Sequence, residues 1–246
     1  HIHYRGAIDG RLERLNLHGA FTTALGAVNV NGYVATDTTL QDFDFFGNVS
    51  TNHFQLGKLL NNKDIETISV QAHVDGNIQS NQLTRCIANA NIQHVKYRGY
   101  TYQDIRFDGT MGIEEVSGQL HIDDENVALD IKGLADWAED DTRLDITAQI
   151  TNLRPNAIHL INQYPDLAIS GPTNISLFTS GKQSQMLDNL VGYLIIDTLT
   201  LRNGEKEAIM KDFKFEVDSE WKNNKPTHQM TIQSDYLTAG ILGDFQ

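Results

Sequence analysis

The sequence predicts an all-β protein built from antiparallel strands. Apolar and polar residues alternate along most of its 246 residues, which is the pattern of strands with one apolar and one polar face. Turn-forming Gly, Asn and Asp residues separate the alternating runs. Neighbouring runs lie mostly about 10–15 residues apart, and this spacing leaves no room for the crossover helices that a parallel sheet needs.

Seven alternating runs define an apolar face that we expect the strands to share. From Ile68 to Val74 every second residue is apolar, and Ser69, Gln71 and His73 lie between them on the polar face. The apolar members of the runs are, in chain order, Ile68, Val70, Ala72 and Val74; Ile105 and Phe107; Val116, Leu120 and Ile122; Val127, Leu129 and Ile131; Leu144, Ile146, Ala148 and Ile150; Phe213, Phe215 and Val217; and Met230 and Ile232. The predicted turns are Asp75–Asn77, Asp108–Gly109, Asp123–Asn126, Glu139–Asp141 and Asn203–Gly204.

Two stretches have helical instead of alternating spacing. Phe54–Leu60 predicts one or two helical turns, and Asn156–Tyr164, which precedes Pro165, predicts a second short helix. The segment Gln183–Leu190 fits either a helical turn or a loop. We expect one domain over residues 1–246, with a weak boundary near residues 156–166, and helix below about a fifth of the chain.

The charge balance disfavours two classes of partner. Lys and Arg number 19 and Asp and Glu 32, so the formal net charge is −13. Such a chain binds phosphate backbones poorly, so nucleic acid is not an expected partner, and an anionic bilayer surface repels it. No apolar run approaches the ~20 residues that span a bilayer, and the sequence contains no basic segment followed by an apolar stretch, which is the pattern of a signal peptide. Both ends lie within alternating runs, so we expect any anchor or signal to lie outside this sequence.

Cys86 is the only cysteine, so no intrachain disulfide can form. It lies in the short run Arg85–Ala88, without a cluster of cations or a base beside it. This setting predicts a buried, unreactive side chain.

No sequence pattern indicates a catalytic, metal or cofactor site, and we expect none. The motifs G-x-S-x-G, G-x-G-x-x-G and the P-loop are absent. None of the nine histidines has a partner at H-x-x-x-H spacing, and His73 and His121 fall on the polar side of separate runs. The acidic segments Asp123–Asn126 and Glu139–Asp141 lack the twelve-residue loop of a calcium site and are predicted to be solvated turns.

A tyrosine cluster offers two interpretations. Alternation places Tyr100 and Tyr102 on one face, and Tyr97 on the other if the strand runs straight through Gly99. We favour aromatic shielding of a strand edge, and the alternative is a platform on which sugars stack.

Three architectures would cover the apolar face, as every such face requires. Two sheets can stack as a sandwich, one sheet can close into a barrel, or an elongated antiparallel sheet can curl into an open apolar groove, a β-taco. Strands of about eight residues span roughly 26 Å, and the hydrocarbon of one leaflet is about half of a ~30 Å core. A groove of that width holds acyl chains, but alternation alone does not distinguish the three architectures.

Several segments resemble one known family. The succession Tyr97–Gly109 and Val116–Leu134, and upstream the strand-to-helix element Phe46–Leu60, are similar to the C-terminal region of TamB (translocation and assembly module) proteins. These belong to the AsmA-like superfamily, and the likeness is to the versions from Bacteroidetes. The later segments Gly192–Ile196, Phe213–Val217 and Met230–Tyr236 are similar to that family's later strands.

The resemblance implies a β-taco fold with two short helices, and a place in the bacterial periplasm with an inner-membrane anchor outside this chain. It implies transport of phospholipid to the outer membrane, outer-membrane protein assembly, or both, with an Omp85-type outer-membrane barrel as partner. Phospholipid acyl chains would lie on the apolar face. The predicted lipid-binding residues are Ile68, Val70, Val74, Ile105, Phe107, Leu120, Ile122, Val127, Leu129, Ile131, Leu144, Ile146, Phe213, Phe215, Val217, Met230 and Ile232.

Two other classes of function fit the alternation. One is an extracellular β-sandwich adhesin or glycan-binding module, which would have a filled core and a ligand-binding edge. The other is a structural spacer whose core is filled by its own side chains. Of the groove residues, Phe107, Leu129, Ile146 and Phe215 are predicted to lie deepest on the apolar face.

Overall fold

The structure is a computed structural model that describes residues 2–243, except 12, 38, 40, 81, 139–140, 182–190 and 223–224. It contains fifteen strands that follow one another in the sheet in the order of the chain. Every strand pair whose register is described is antiparallel. The all-β, antiparallel fold class is therefore confirmed.

The chain divides into two compact units, which are described separately. Unit 1 comprises His1–Ile113 and Leu120–Asp124, and unit 2 comprises Glu114–Gln119 and Glu125–Gln246. The division thus falls near β8, and residues 156–166 lie inside unit 2. Unit 1 contains β1 (His3–Arg11), β2 (Arg14–Thr23), β3 (Gly26–Thr36), β4 (Phe43–Phe54), α1 (Leu56–Leu60), β5 (Ile65–Gln79), β6 (Gln82–Tyr97) and β7 (Tyr100–Gly112), and residues of β8 (Glu115–Asp123) belong to both units. Unit 2 contains β9 (Val127–Ala138), β10 (Asp141–Leu153), β11 (Leu167–Gly181), β12 (Val191–Asn203), β13 (Lys206–Lys222), β14 (Lys225–Gln233) and β15 (Thr238–Gly243).

All seven predicted runs lie within strands, and the first predicted helix is confirmed as α1. The helix ends at Asn61, whose left-handed φ of 50° lets its backbone N–H donate to the Gly57 carbonyl oxygen as the chain turns towards β5. The predicted turns at Asp123–Asn126 and Asn203–Gly204 join β8 to β9 and β12 to β13. Residues 139–140 and the segment Gln183–Leu190 lie outside the described residues.

The second predicted helix, Asn156–Tyr164, is wrong. The Ile158 N–H bonds to the Arg154 carbonyl oxygen as in an α-helix, and the His159 N–H bonds to the Asn156 carbonyl oxygen three residues back, but no helix continues from them. The N–H groups of Leu160 and Ile161 both bond to the Pro155 carbonyl instead, and His159 has a left-handed φ of 60°. Ile158 is buried, so the apolar spacing that suggested a helix reflects a compact turn held by one buried side chain.

Two predicted turns are also wrong, because Asp75–Asn77 lies within β5 and Asp108–Gly109 within β7. Both strands are therefore longer than alternation indicated. Glycine inside a strand marks a close approach of a neighbouring backbone as often as a turn. A Cβ atom on Gly76 would lie 2.5 Å from the Arg85 carbonyl oxygen and 2.6 Å from the Phe45 ring.

The described strands form one sheet in chain order, and no second sheet occurs among the described residues. In unit 1, α1 packs against β5. Most of the predicted apolar-face residues in each unit are half-buried, whereas a second sheet packed on that face would bury them.

Candidate functional site

The strand registers assemble the apolar face of unit 1 into continuous rows, because directly paired residues project from the same side of a sheet. Val70 pairs with Ile92, which pairs with Ile105, and on the next row Phe107 pairs with Ala90. Four successive rows from β1 to β7 read Tyr4-Phe21-Val28-Thr51-Val70-Ile92-Ile105, Gly6-Gly19-Val30-Val49-Ala72-Ala90-Phe107, Ile8-Leu17-Gly32-Gly47-Val74-Ala88-Gly109 and Gly10-Leu15-Val34-Phe45-Gly76-Cys86-Met111. No residue in these rows carries a charge.

Unit 2 has the same organisation. Its predicted groove residues Ile146, Phe215 and Ile232 fall on a single row that runs from β9 to β15. Two adjacent rows read Gly133-Ile146-Leu177-Leu194-Phe215-Ile232-Ala239 and Ala135-Leu144-Thr179-Gly192-Val217-Met230-Ile241. These rows are uncharged as well. Ile131 lies one row further on, paired with Ala148.

Burial of the seventeen predicted groove residues is partial. Ile105, Val127 and Val217 are buried, with 6%, 2% and 5% of their surface exposed. The others are half-buried, and none is exposed. The expectation that Phe107, Leu129, Ile146 and Phe215 lie deepest is wrong, because all four are half-buried whereas Ile105, Val127 and Val217 on the same face are buried.

The total accessible area supports the same conclusion. The chain exposes 15881 Å², whereas a globular protein of this mass exposes roughly 11,000 Å², and two separate globular units of half the mass expose roughly 13,000 Å². The excess does not depend on how the two units are arranged.

The apolar face extends beyond the residues that the sequence identified. In unit 1 it includes Tyr4, Phe21 and Val30, and in unit 2 it includes Leu177 and Leu194. Glycines interrupt the alternation in β1 to β4, and apolar residues occur on both faces of β11 and β12. These residues are identified by the register in which their strands pair with strands whose apolar face was predicted from the sequence.

Paired glycines bring neighbouring strands unusually close on the apolar face. Gly32 pairs with Gly47, and a Cβ atom on Gly47 would lie 2.5 Å from the Asn31 carbonyl oxygen and from the Gly32 Cα atom. Gly6 and Gly19 form a second such pair. At both pairs the neighbouring backbone lies where a side chain would project, so these positions have no room for one.

The tyrosine cluster lies on the apolar side at one end of these strands. Arg98 and Gly99 form a two-residue turn with positive φ angles of 49° and 80°, so Tyr97 pairs with Tyr100 and shares its face. The chain does not run straight through Gly99, so the condition under which Tyr97 would face away from Tyr100 and Tyr102 is not met. The pKa of Tyr102 is raised, mainly because its side chain is partly buried.

Asp124 fixes this end of β7. Its buried carboxylate accepts hydrogen bonds from the Tyr100 hydroxyl and, at 3.0 Å, from the Gln103 backbone N–H. Both carboxylate oxygens are thus engaged in joining β7 to the turn after β8. The predicted turn at Asp123–Asn126 is confirmed, although Asp124 itself is buried instead of solvated.

The Ser69 hydroxyl and the His94 ring lie 2.9 Å apart, as a serine and its general base would in a nucleophilic site. The Ser69 hydroxyl donates to the Asn52 side-chain oxygen at 2.8 Å and accepts from the His53 backbone N–H at 2.8 Å. With its proton directed at Asn52, Ser69 accepts the bond from His94, which is the reverse of base activation. The group holds the bulge at His53, whose φ is 50°.

No family model, curated protein or solved structure matches this chain. Among the described residues, no helix is long and apolar enough to cross a bilayer.

Proposed function

We propose that the apolar face shields phospholipid acyl chains from water, as part of a TamB-like protein in a bacterial envelope. The observation that carries the proposal is an uncharged apolar face in each unit that no second layer covers within that unit. Removing apolar surface from water stabilises by about 25 cal/mol per Å², or about 0.8 kcal/mol per buried CH₂ group. Acyl chains would bind by apolar area alone, without specific contacts or chemistry.

The dimensions of the face suit this role. In unit 1 the four rows run from Val70 to Gly76 along β5, which is roughly 20 Å of strand. The hydrocarbon of one leaflet is about half of a ~30 Å core, so an extended acyl chain fits along a strand.

The cellular setting is proposed from the sequence resemblance. A TamB-like protein would lie in the periplasm, held in the inner membrane by a segment outside this chain. It would meet an Omp85-type barrel at the outer membrane and serve phospholipid transport, outer-membrane protein assembly, or both. The absence of charge on the apolar rows supports the lipid role in particular, since a charge there would be costly to cover with hydrocarbon.

Two rival functions differ in what fills the apolar face. A β-sandwich adhesin would cover it with a second sheet, and a structural spacer would cover it with its own side chains. Mass spectrometry of lipids extracted from the purified chain distinguishes them, because only the groove retains phospholipid.

Site-specific photo-crosslinking in cells tests the proposal directly. A photoreactive amino acid at Phe107 or Ile146, on the apolar face, is expected to crosslink phospholipid. The matched positions Gln71 and Gln149 lie exposed on the polar face and are expected not to. Equal crosslinking from both faces would overturn the proposal in favour of a spacer.

A further inference from the structure

The polar face of unit 1 carries a row of large apolar side chains where alternation calls for polar ones. Tyr33 pairs with Phe46, Phe46 pairs with Asp75, and Asp75 pairs with Ile87. Phe46 and Ile87 are 40% and 39% exposed. Tyr33, Phe46 and Ile87, named here the outer row, project away from the apolar face and so play no part in the proposed lipid groove.

The outer row presents ordered aromatic surfaces. The rings of Tyr33 and Phe46 stack with centroids 5.6 Å apart, and His73 meets Phe46 edge-on at 4.8 Å. The Arg14 guanidinium lies 3.8 Å from the centre of the Tyr33 ring. These contacts hold the rings in place, and 40% of Phe46 stays exposed.

A pocket of about 370 Å³ adjoins the row, lined among others by Tyr33 and Ile87. Four charged residues line it: the bases Arg14 and Arg85 and the acids Asp44 and Asp75. Among the described residues, none of these four side chains has a hydrogen bond or an ion pair. The pocket therefore combines apolar surface with balanced, uncommitted hydrogen-bonding groups.

We propose that the outer row and its pocket bind an uncharged linear glycan. Sugar rings offer apolar C–H faces that pack on exposed apolar side chains such as Phe46 and Ile87, and adjacent hydroxyls that accept from Arg and donate to Asp. The balanced lining favours a neutral ligand, and the net charge of −13 opposes a polyanion. Strands lie ~4.8 Å apart, so the row from β3 to β6 extends roughly 15 Å, long enough for several sugar rings.

A protein partner fits this surface less well. Stable protein interfaces bury about 800 Å² on each partner and centre on a desolvated apolar core. The outer row is one side chain wide, and uncommitted charged groups line the pocket beside it. A narrow ligand rich in hydroxyl groups satisfies those groups, whereas a flat apolar partner would desolvate them without replacement.

Isothermal titration calorimetry and amide chemical-shift mapping with cellohexaose and chitohexaose, two neutral β-1,4-linked oligosaccharides, test the proposal. Shift changes are expected at Tyr33, Phe46 and Ile87 in the unaltered chain, so this measurement needs no variant. Phe46→Ala is expected to weaken binding about tenfold, equivalent to about 1.4 kcal/mol, and Phe46→Tyr to retain it.

The matched control is Gln71→Ala, an exposed position on the same face, for which unchanged affinity is expected. Because Phe46 is exposed, a thermal melt should show that Phe46→Ala remains folded. Three results would overturn the proposal: no binding of either oligosaccharide, equal loss in Gln71→Ala, or shift changes confined to residues outside the outer row. Tighter binding of an alginate oligosaccharide, a polyanion, would also refute it.

Discussion

Residues on the apolar face differ sharply in burial even when they are neighbours on one strand. Ile105 is buried and Phe107, two residues on, is only half-buried. In a single layer, depth depends on which side chains of adjacent strands lean over a position, so size and hydrophobicity do not predict it. Side-chain truncation therefore measures whether a site is filled by protein.

Ile105→Ala is expected to lower the free energy of unfolding by about 2–5 kcal/mol, because it empties a packed site. Phe107→Ala is expected to cost well under the about 3–5 kcal/mol of a buried phenylalanine, since solvent or lipid already reaches its ring. Urea unfolding of both variants, together with Leu129→Ala, Ile146→Ala and Phe215→Ala, checks this. Large losses at all four half-buried positions would count against an open groove.

Cys86 lies buried on the apolar face, paired with Gly76 and Met111. Burial, and secondarily the negative charge of Asp75, raise the pKa of its thiol. Since the thiolate is the reactive form, the folded chain is expected to react slowly with a thiol reagent at pH 8, and quickly once unfolded in urea. Raising the pH towards 9 should accelerate the reaction of the unfolded chain before that of the folded chain, whose thiol has the higher pKa. Equal rates in both states would show that the site is open.

Strand pairs depend on glycine where two backbones approach each other. Gly32 and Gly47 face each other between β3 and β4, and a methyl group on either would meet the partner strand's backbone. Backbone cannot move aside as a side-chain tip can, so the strands would have to separate. The close pairing of β3 with β4 at this point therefore requires glycine.

Gly32→Ala is expected to destabilise unit 1 by about 1–3 kcal/mol, the usual cost of forcing atoms into a packed site. The matched control is Gly240→Ala in β15, where an added Cβ would meet its nearest neighbour at 3.9 Å. Circular dichroism melts of the two variants give the comparison. A similar melting temperature for both would show that the close approach at the glycine pair tolerates a side chain.

Over the whole molecule, the proposed function requires an apolar path without charge. Ile131→Glu and Ile146→Glu each place a carboxylate on an apolar row, and water reaches both positions because they are half-buried. We expect both variants to fold, to lose phospholipid crosslinking and to sensitise the envelope to detergent, since hydrocarbon does not pass a hydrated charge.

Gln149→Glu, on the polar face of the same strand as Ile146, is the matched control and should leave envelope integrity unchanged. The readouts are circular dichroism for folding and growth of cells under detergent stress. If the apolar-face variants fold and the envelope stays intact, the spacer replaces the lipid groove as the better account.

The sequence by itself determined the class of the fold and the side of each strand that avoids water. A strand repeats every two residues, so alternation places Ile68, Leu129 or Phe215 on the apolar face without knowledge of any partner. It also located α1 and the buried state of Cys86. These properties are local, or depend only on the average polarity of a position.

Tertiary pairing decided everything that depends on which strand lies beside which. It brought Tyr33, Phe46 and Ile87 into one row, turned Tyr97 onto the face of Tyr100, and placed Gly76 inside a strand. It also left the apolar face of each unit without a second sheet. Alternation does not predict this, because a sandwich and a single sheet have the same pattern. The physical reason is that register and layering are set by contacts between residues far apart in the chain, whereas periodicity records only how each residue meets water.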